Sequence, residues 1–301
     1  MNKSREEFYA DMLILLVTMF WGFSYIAINI SIPETGTLGL NAYRFIAASL
    51  ITTAVFHKKM AHIDRETLKW GSIVGILLCT TYGFTNTCVR YTSTPNAAFL
   101  LAMGVLFVPI IEMLFMHKKQ PPKLALSVAL SVIGVALLTL TSTDTLPETH
   151  VFGDMCGIIT SIVYALEMIA TGIAVKEKQL DAVQIGIISM YWTGFGMLFI
   201  SLAIGDISVP TSRSAIIAVL FLTILCSAFS FIAQPVAQRH TEASHVGLIF
   251  TLEPVFAIAI AFVIQGVVPT KFQALGQILL LTALFILEAD PSMFRKKSGD
   301  Q

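Results

Sequence analysis

Ten apolar stretches, each long enough to cross a lipid bilayer, follow one another along this chain with only short polar connections between them. A membrane-spanning helix needs about 20 predominantly apolar residues, because the hydrocarbon core is about 30 Å thick and each residue advances the helix by about 1.5 Å. A strand of a membrane barrel needs only about ten residues in strict alternation, and this sequence lacks that pattern. We therefore predict an all-α integral membrane protein with ten transmembrane helices, placed at residues 10–30, 38–56, 70–89, 96–116, 124–140, 153–175, 182–204, 215–236, 244–264 and 272–287.

The composition supports this class and limits the function to what membrane helices and the cavities between them can do. Apolar residues make up 55% of the 301 residues, charged residues make up 13%, and the mean hydropathy is +0.78. These values are too hydrophobic for a soluble domain of this size. The formal net charge of zero argues against a nucleic-acid partner. All cysteines lie inside apolar stretches, so we expect packing rather than disulfides for Cys79, Cys88, Cys156 and Cys226.

The positions of the lysines and arginines predict the orientation of the chain in the membrane. Positively charged residues are retained in cytoplasmic connections. With the N-terminus inside, most of them fall on the cytoplasmic face, and the other face receives only Arg90, Arg213 and Lys271. We therefore expect a multi-pass protein of the plasma (cytoplasmic) membrane with both termini in the cytoplasm.

Ten spans divide into two sets of five, and this division has a geometric consequence. An odd number of crossings leaves the second set starting on the opposite side, so any internal similarity implies an inverted repeat. The tract YTSTPNAAFLLAMGVLFVP at the fourth span is similar to QRHTEASHVGLIFTLEP at the ninth. We predict two five-helix inverted repeats around a central cavity, at residues 1–141 and 153–301. An external linker at 142–152 separates them, and a cytoplasmic tail ends the second repeat.

Glutamate and proline occur together inside two of the apolar stretches. Glu253 and Pro254 stand in the middle of residues 239–265, and Pro109 and Glu112 stand within residues 94–120. A carboxyl group that faces hydrocarbon costs several kcal/mol, so an intramembrane acid indicates a functional site. Proline leaves a carbonyl group that neighbouring helices or water must satisfy. We therefore predict a distorted, inward-facing helix in each half, which suits alternating access around a central site.

Several tracts of the sequence resemble those of the drug/metabolite transporter superfamily, in its ten-helix EamA type. They are WGFSYIAI in the first span, NAYRFIAASL in the second, YTS after the third, and FIAQPVAQRHTEASHVGLIFTLEPVF across the eighth and ninth. The resemblance covers nearly the whole chain. It implies a central cavity lined by helices one, three, four, six, eight and nine, and transport of small organic solutes such as amino acids or metabolites. The chain lacks the Gly-Glu pair that many members carry near the ends of helices four and nine.

Candidate substrate-binding residues also follow from helical spacing, because residues three, four and seven apart share one face of a helix. Polar and aromatic side chains form such stripes on the first, third, sixth and eighth spans. The alternative for each polar side chain is an interhelical hydrogen bond, worth about 0.6 kcal/mol on average. The predicted substrate-binding residues are Trp21, Tyr25, Tyr82, Asn86, Tyr164, Glu167, Ser230, Gln234, Phe250 and Glu253.

The three intramembrane acids differ in their sequence surroundings. Glu167 shares a stripe with Tyr164 and is the first candidate for a solute-facing carboxylate or a proton acceptor, with a structural hydrogen bond to a neighbouring helix as the alternative. Glu253 is a candidate solute contact, with bracing of the helix distortion as the alternative. Glu112 lacks polar neighbours on its helix face, so we expect a structural role for it.

The charged and imidazole groups near the span ends are expected at the membrane interface. Arg44 lies about 9 Å from the external end of the second span, and we expect it to extend to the interface. Its alternative role is pairing with an inner carboxylate. His117 and His245 lie near cytoplasmic span ends and are expected to be interfacial rather than ligands.

These observations together predict a secondary transporter rather than an enzyme. The sequence contains no HExxH or GxSxG motif and no phosphate-binding loop, which also argues against direct coupling to ATP. We expect alternating-access movement of an amino acid, an amine or a related metabolite, by export or facilitated exchange. The alternatives are an integral-membrane lipid-modifying enzyme and a channel. The expected partners are a small-molecule solute, the lipid bilayer and protons, with no cofactor and no metal, in a monomer or homodimer.

Overall fold

The computed structural model describes residues 5–91, 99–139, 151–266 and 268–288, and all regular structure within these ranges is helical. Seven helices are long and apolar enough to cross a membrane, and three shorter apolar helices accompany them. A one-turn helix, His57–Met60, lies between the second and the third. In chain order the ten are α1 (Arg5–Thr35), α2 (Thr37–Val55), α3 (Arg65–Tyr91), α4 (Phe99–Phe115), α5 (Pro122–Thr139), α6 (Val151–Glu177), α7 (Ala182–Ile204), α8 (Arg213–Gln238), α9 (Ala243–Ile264) and α10 (Lys271–Glu288).

Each helix overlaps the span that was predicted at its place in the sequence. The predicted all-helical membrane class is therefore confirmed, with α4, α5 and α10 as the three shorter helices. Residues 96–98 and 140 of the predicted spans lie outside the described residues. The same is true of most of the predicted linker 142–152, whose last two residues begin α6.

Side-chain caps explain where two of the long helices begin. The Asp181 carboxylate accepts hydrogen bonds from the backbone N–H groups of Val183 and Gln184, at 2.9 and 3.1 Å, and α7 starts there. The Ser212 hydroxyl accepts from the Ala215 N–H at 3.1 Å at the start of α8. Such caps satisfy backbone donors that have no partner inside the helix, which stabilises each start by about 1 kcal/mol.

The helices pack in pairs that connect the first five with the last five. The most extensive pairings join α3 with both α6 and α7, α5 with α10, α2 with α7, and α1 with α8, and α4 packs on α9. Glycine permits close approach at α7, because an added Cβ at Gly75 of α3 would lie 2.9 Å from the Ser189 Cα. At Gly194 of α7, an added Cβ would lie 2.8 Å from the Ile46 backbone nitrogen of α2. Small residues at such contacts are typical of helix packing in membranes.

Three helices depart from regular α geometry near the middle of the bundle. The ninth helix breaks at Thr251 and Leu252, and Glu253 begins its second piece, so the predicted distortion at Glu253–Pro254 is confirmed. The fourth helix has its turn at Met103, whereas Pro109 lies inside the regular segment Gly104–Phe115. The predicted distortion of a helix in the first half is therefore present, but it lies at Met103 rather than at Pro109. The eighth helix contains a π-helical segment, Leu222–Phe229.

Polar contacts join connecting segments at the two ends of the bundle. At the end where α1 begins, called the N-terminal face below, Lys59 Nζ lies 2.6 Å from Asp181 Oδ2. At the opposite face, the Leu38 N–H donates to Asp206 Oδ2 at 2.7 Å, and the Thr211 N–H donates to Glu34 Oε2 at 2.8 Å. Each contact joins a residue of the first five helices to one of the last five.

Candidate functional site

A connected series of aromatic rings crosses the middle of the bundle. Neighbouring ring centroids in the series are 4.8 to 6.4 Å apart, within the range of favourable aromatic pairs. The rings come from α3, α2, α8, α1, α9 and α6, so the series joins both sets of five helices. In order along the series, the rings belong to Tyr82, Phe45, Phe231, Trp21, Phe250 and Tyr164.

Four of these rings were predicted from the sequence, and two were not. Phe45 and Phe231 are buried between their predicted neighbours, with exposed fractions of 0% and 4%. Phenylalanine is common in every apolar stretch of this chain, so periodicity alone does not distinguish these two. Only the packing of α2 and α8 against α1 and α3 identifies them.

A tyrosine and a glutamate lie close together beside the aromatic series. Tyr25 of α1 lies beside Glu253 of α9, where the two helices pack against each other, and we call them the Tyr25–Glu253 pair. Tyr25 is 47% exposed and Glu253 is partly buried. Glu253 also begins the second piece of α9, where the unpaired N–H groups and the helix dipole favour a negative charge. The pair is therefore a partly exposed polar group between α1 and α9.

Glu167 lies in a different environment from Glu253. Its side chain is 2% exposed, and its two oxygens accept hydrogen bonds from Thr171 Oγ1 at 2.9 Å and from Gln234 Nε2 at 3.2 Å. Gln234 is on α8, so the contact matches the alternative of a structural hydrogen bond to a neighbouring helix. Among the described residues, the side-chain oxygens of Gln234 and Gln238 have no hydrogen-bond partner although both are buried. Each of these two oxygens can accept a hydrogen bond from a solute or from water.

Two of the predicted residues have contrasting partners. The Ser230 hydroxyl donates to the Leu225 carbonyl at 2.7 Å, so its donor is used within α8. The Asn86 amide nitrogen is buried without a hydrogen-bond partner in the part of the chain that the structure describes. Solute binding by either residue stays a prediction.

The π-helical segment of α8 provides a carbonyl group that α1 and α2 both use. The Cys226 carbonyl accepts hydrogen bonds from Trp21 Nε1 at 3.1 Å and from Arg44 Nη2 at 3.3 Å. A π-helical turn disturbs the regular i to i−4 bonding of its helix and is frequent at functional sites. The segment thus fixes the indole of Trp21 against α8.

Arg44 does not extend to the membrane interface, so that expectation is wrong. Its side chain is 4% exposed, and Nε donates to Ser227 Oγ at 2.8 Å. The alternative, pairing with an inner carboxylate, is also not found, since no carboxylate of the described residues lies within ion-pair distance of the guanidinium. The π-helical segment holds Arg44 inside the bundle, because the Ser227 hydroxyl and the Cys226 carbonyl accept hydrogen bonds from the guanidinium.

Glu112 has polar partners that its own helix face does not supply. Its carboxylate is 2% exposed and accepts hydrogen bonds from Lys118 Nζ at 3.3 Å and from Gln120 Nε2 at 3.2 Å. His117 has a φ of 53° at the end of α4, and the chain reverses there, so that Lys118 folds back onto the last turns of the helix. Helical periodicity cannot reveal these partners, because they lie beyond the helix end.

Lys118 belongs to an ionic cluster that joins both sets of helices at the N-terminal face. Its Nζ lies 3.3 Å from Glu242 Oε2, and Glu242 also pairs with Lys176. Burial lowers the pKa of Lys118, but the carboxylates of Glu112 and Glu242 outweigh this effect and raise the pKa above its ordinary value. Burial opposes ionisation of Glu242, but Lys176 and Lys118 hold the pKa of Glu242 below its ordinary value. Lys118 and Glu242 are therefore both charged at neutral pH.

A buried acid on α1 pairs with a histidine on α9 near the same face. Asp11 Oδ1 lies 3.3 Å from His245 Nε2, and the side chains are 5% and 19% exposed. His245 is therefore mostly covered rather than freely interfacial, whereas His117 is exposed. Asp11 was not predicted as a paired residue, although an acid at the start of an apolar stretch is visible in the sequence.

The described residues contain no group of three or more His, Cys, Asp or Glu side chains that could hold a metal ion. The cysteines Cys79, Cys88, Cys156 and Cys226 are free, as expected.

Three comparisons place the chain among known proteins. The profile of the EamA-like transporter family matches residues 8–140 and again residues 151–288. An uncharacterized transporter of Archaeoglobus fulgidus is 27% identical over 288 residues, which cover 92% of this chain and 96% of that protein. A second uncharacterized transporter of the same organism is 23% identical, over 94% of this chain and 86% of that protein.

One solved crystal structure is similar to nearly the whole chain. Its TM-score is 0.80 at 13% sequence identity, and the match covers 93% of this chain and 96% of that chain. At this identity, the similarity shows that the fold is shared.

Proposed function

The chain belongs to the EamA-like transporter family, and from this premise we propose that it moves a small organic solute by alternating access, without ATP. The solute is an amino acid, an amine or a related metabolite, carried by export or facilitated exchange. The protein is thus a membrane transporter in which the aromatic series and the Tyr25–Glu253 pair form the central site.

The pairing of the helices supports ten spans arranged as two inverted repeats. Exchanging the first five helices with the last five converts the α1–α8 pairing into the α6–α3 pairing. The same exchange leaves the α2–α7, α4–α9 and α5–α10 pairings unchanged. The two separate family matches and the breaks in both α4 and α9 support the same division. Such a repeat lets the protein exchange one asymmetric arrangement for its counterpart around a fixed site.

The orientation follows from the positive charges. The N-terminal face carries Lys59, Lys118 and Lys176, so we place it in the cytoplasm together with both termini. The membrane is then the plasma (cytoplasmic) membrane. We propose that the ionic cluster of Lys118, Lys176, Glu112 and Glu242 holds this face closed, so that the site opens to the other side.

The single observation that carries the proposal is the Tyr25–Glu253 pair. A partly exposed carboxylate on a membrane-spanning helix is costly unless water or a solute reaches it. The adjoining indole and phenol rings provide flat apolar surfaces, which suit aromatic or aliphatic groups and also cations. An amine or an amino acid satisfies both features.

The experiment is solute flux into proteoliposomes containing the purified protein. A panel of amino acids, amines and metabolites is offered to the wild type, to Glu253→Gln and to Glu66→Gln. We expect saturable flux of at least one solute in the wild type. We expect flux at least tenfold slower in Glu253→Gln, because the carboxylate that contacts the solute is lost. Glu66→Gln is the matched control, since Glu66 pairs with Lys178 at the N-terminal face, away from the site.

Two results would contradict the proposal. The first is a wild-type protein that neither transports nor binds any solute of the panel. The second is a changed lipid product, measured by mass spectrometry of membranes with and without the protein, which would instead support a lipid-modifying enzyme.

A further inference from the structure

Arg44 is a buried cation that lacks a counter-charge. Its guanidinium lies over the rings of Phe45 and Tyr82, with distances of 5.1 and 5.9 Å from Cζ to the ring centroids. Its two hydrogen bonds go to Ser227 Oγ and the Cys226 carbonyl. A guanidinium has five N–H groups, so three have no hydrogen-bond partner among the described residues.

Neutral partners offset only part of the cost of burying this charge. A buried ion is stable when it is paired, and an unpaired charge inside a membrane protein indicates a functional site. Tying α2 to α8 does not require a positive charge, because a neutral amide can also donate to a hydroxyl and a carbonyl. The packing of these two helices therefore does not explain why the side chain at position 44 carries a positive charge.

A second unpaired donor lies on α3, close to the ring that Arg44 covers. Asn86 is four residues after Tyr82, so the two side chains share one face of the helix. The Asn86 amide nitrogen is buried and has no acceptor within the described ranges. An anionic group that accepted hydrogen bonds from both side chains would satisfy both donors.

Carboxylates on two other helices lie near the same ring. The charges of Arg44, Glu253 and Glu167 all act on the Tyr82 side chain, and those of Arg44 and Glu253 both act on Cys226. A cation and a carboxylate are therefore close to the same two side chains. A ligand that carries one negative and one positive group complements this arrangement.

We infer that Arg44 anchors a carboxylate group of the transported solute, with Asn86 as a second donor and Glu253 facing the positively charged group of the solute. This inference rests on the proposed function. The planar guanidinium fits carboxylate and phosphate equally well. A phosphate monoester carries a charge of about −2 and would meet the carboxylates of Glu253 and Glu167, whereas a zwitterion places an ammonium there.

The experiment compares matched ligands on purified protein. Each of the twenty standard amino acids is paired with its carboxamide and its decarboxylated amine, and binding is measured by thermal shift and by titration. We expect at least one carboxylate to bind the wild type roughly 10- to 100-fold more tightly than its two partners, because a charge-assisted hydrogen bond is lost in them. Arg44→Gln is expected to remove this preference. Arg44→Lys is expected to reduce it, because lysine keeps the charge but loses the planar N–H donors that bind both oxygens of a carboxylate.

The control variant is Ser227→Ala. It removes the structural partner of Arg44 Nε but leaves the guanidinium, so the preference for the carboxylate is expected to persist. If the role of Arg44 is purely structural, Arg44→Gln and Ser227→Ala should lose equal stability. Arg44→Lys should then keep the wild-type preference for the carboxylate.

The remaining outcomes distinguish the role of Arg44 as a carboxylate anchor from the proposed transport function. Equal binding of a carboxylate and its amide by the wild type, or no binding of any carboxylate, overturns the anchor. Binding that depends on Arg44 without flux in proteoliposomes supports the anchor and contradicts the transport function. Flux of an amino acid that is unaffected by Arg44→Gln supports the transport function and overturns the anchor.

Discussion

At the scale of single residues, the two central acids have different surroundings and therefore different uses. Glu253 lies beside Tyr25 and is partly exposed, whereas Glu167 is covered and has donors on both oxygens. The sequence ranked Glu167 first because it shares a stripe with Tyr164. In the proposed function, Glu253 is the group that meets the solute, and Glu167 is the internal partner of Gln234.

The ionic cluster at the N-terminal face gives a prediction about pH. The pKa of Glu242 is below its ordinary value of 4.5, so the carboxylate stabilises the folded state fully above that value. This stabilisation is lost as the pH falls through the lowered native value. The free energy of unfolding of the wild type should therefore fall between pH 6 and about pH 3. We expect a smaller fall in Glu242→Gln, measured by chemical denaturation in detergent.

The matched control for this measurement is Glu177→Gln. The Glu177 carboxylate is 4.0 Å from Lys118 Nζ and half exposed, so its removal should change the pH dependence less. Adding salt should also weaken the effect of Glu242, because the cluster is partly exposed. A pH profile of Glu242→Gln that matches the wild type would contradict the assignment.

At the scale of helices, the break in α9 shapes the contact with α1. An added Cβ at Gly22 would lie 2.6 Å from the Phe256 Cβ and 3.1 Å from the Glu253 carbonyl oxygen. Backbone and Cβ atoms cannot move aside as the end of a flexible side chain can. The position of Glu253 against Tyr25 therefore depends on a glycine one turn earlier on α1.

We predict that Gly22→Ala destabilises the protein by about 1–3 kcal/mol, because the added methyl group forces α1 away from α9. Gly83→Ala is the matched control, since its added Cβ would meet only the Met197 Cε, at 4.0 Å. The control should be neutral or slightly stabilising, because alanine favours a helix over glycine. Thermal melting of both variants in the same detergent measures the difference, and equal melting temperatures would count against the close contact.

At the scale of the whole molecule, contacts at opposite faces connect the two sets of five helices. Lys118 and Glu242 connect them at the N-terminal face, and Glu34 with Thr211 connects them at the other. Alternating access requires the two sets to move relative to each other. The ion pairs of the N-terminal face must therefore separate when that face opens.

A cross-link tests this movement. We predict that joining Lys118→Cys to Glu242→Cys with a short bis-thiol reagent stops flux and that cleaving the reagent restores it. Solute binding from the opposite side should persist, because the central site stays accessible from there. The control is each single-cysteine variant treated with the same reagent. Undiminished flux in the cross-linked protein would show that the N-terminal face does not open during transport.

The sequence by itself determined the membrane class, the places of the helices, the distortion at Glu253–Pro254 and most of the central aromatic side chains. These features depend on hydropathy, periodicity and backbone chemistry, which are local properties of the chain. Only the tertiary structure decided that Arg44 turns inward, that Phe45 and Phe231 complete the aromatic series, and that Glu112 is paired. Two of these outcomes depend on helices far apart in sequence, such as Arg44 and Ser227, which are 183 residues apart. The third depends on a chain reversal at His117, which no helical pattern encodes.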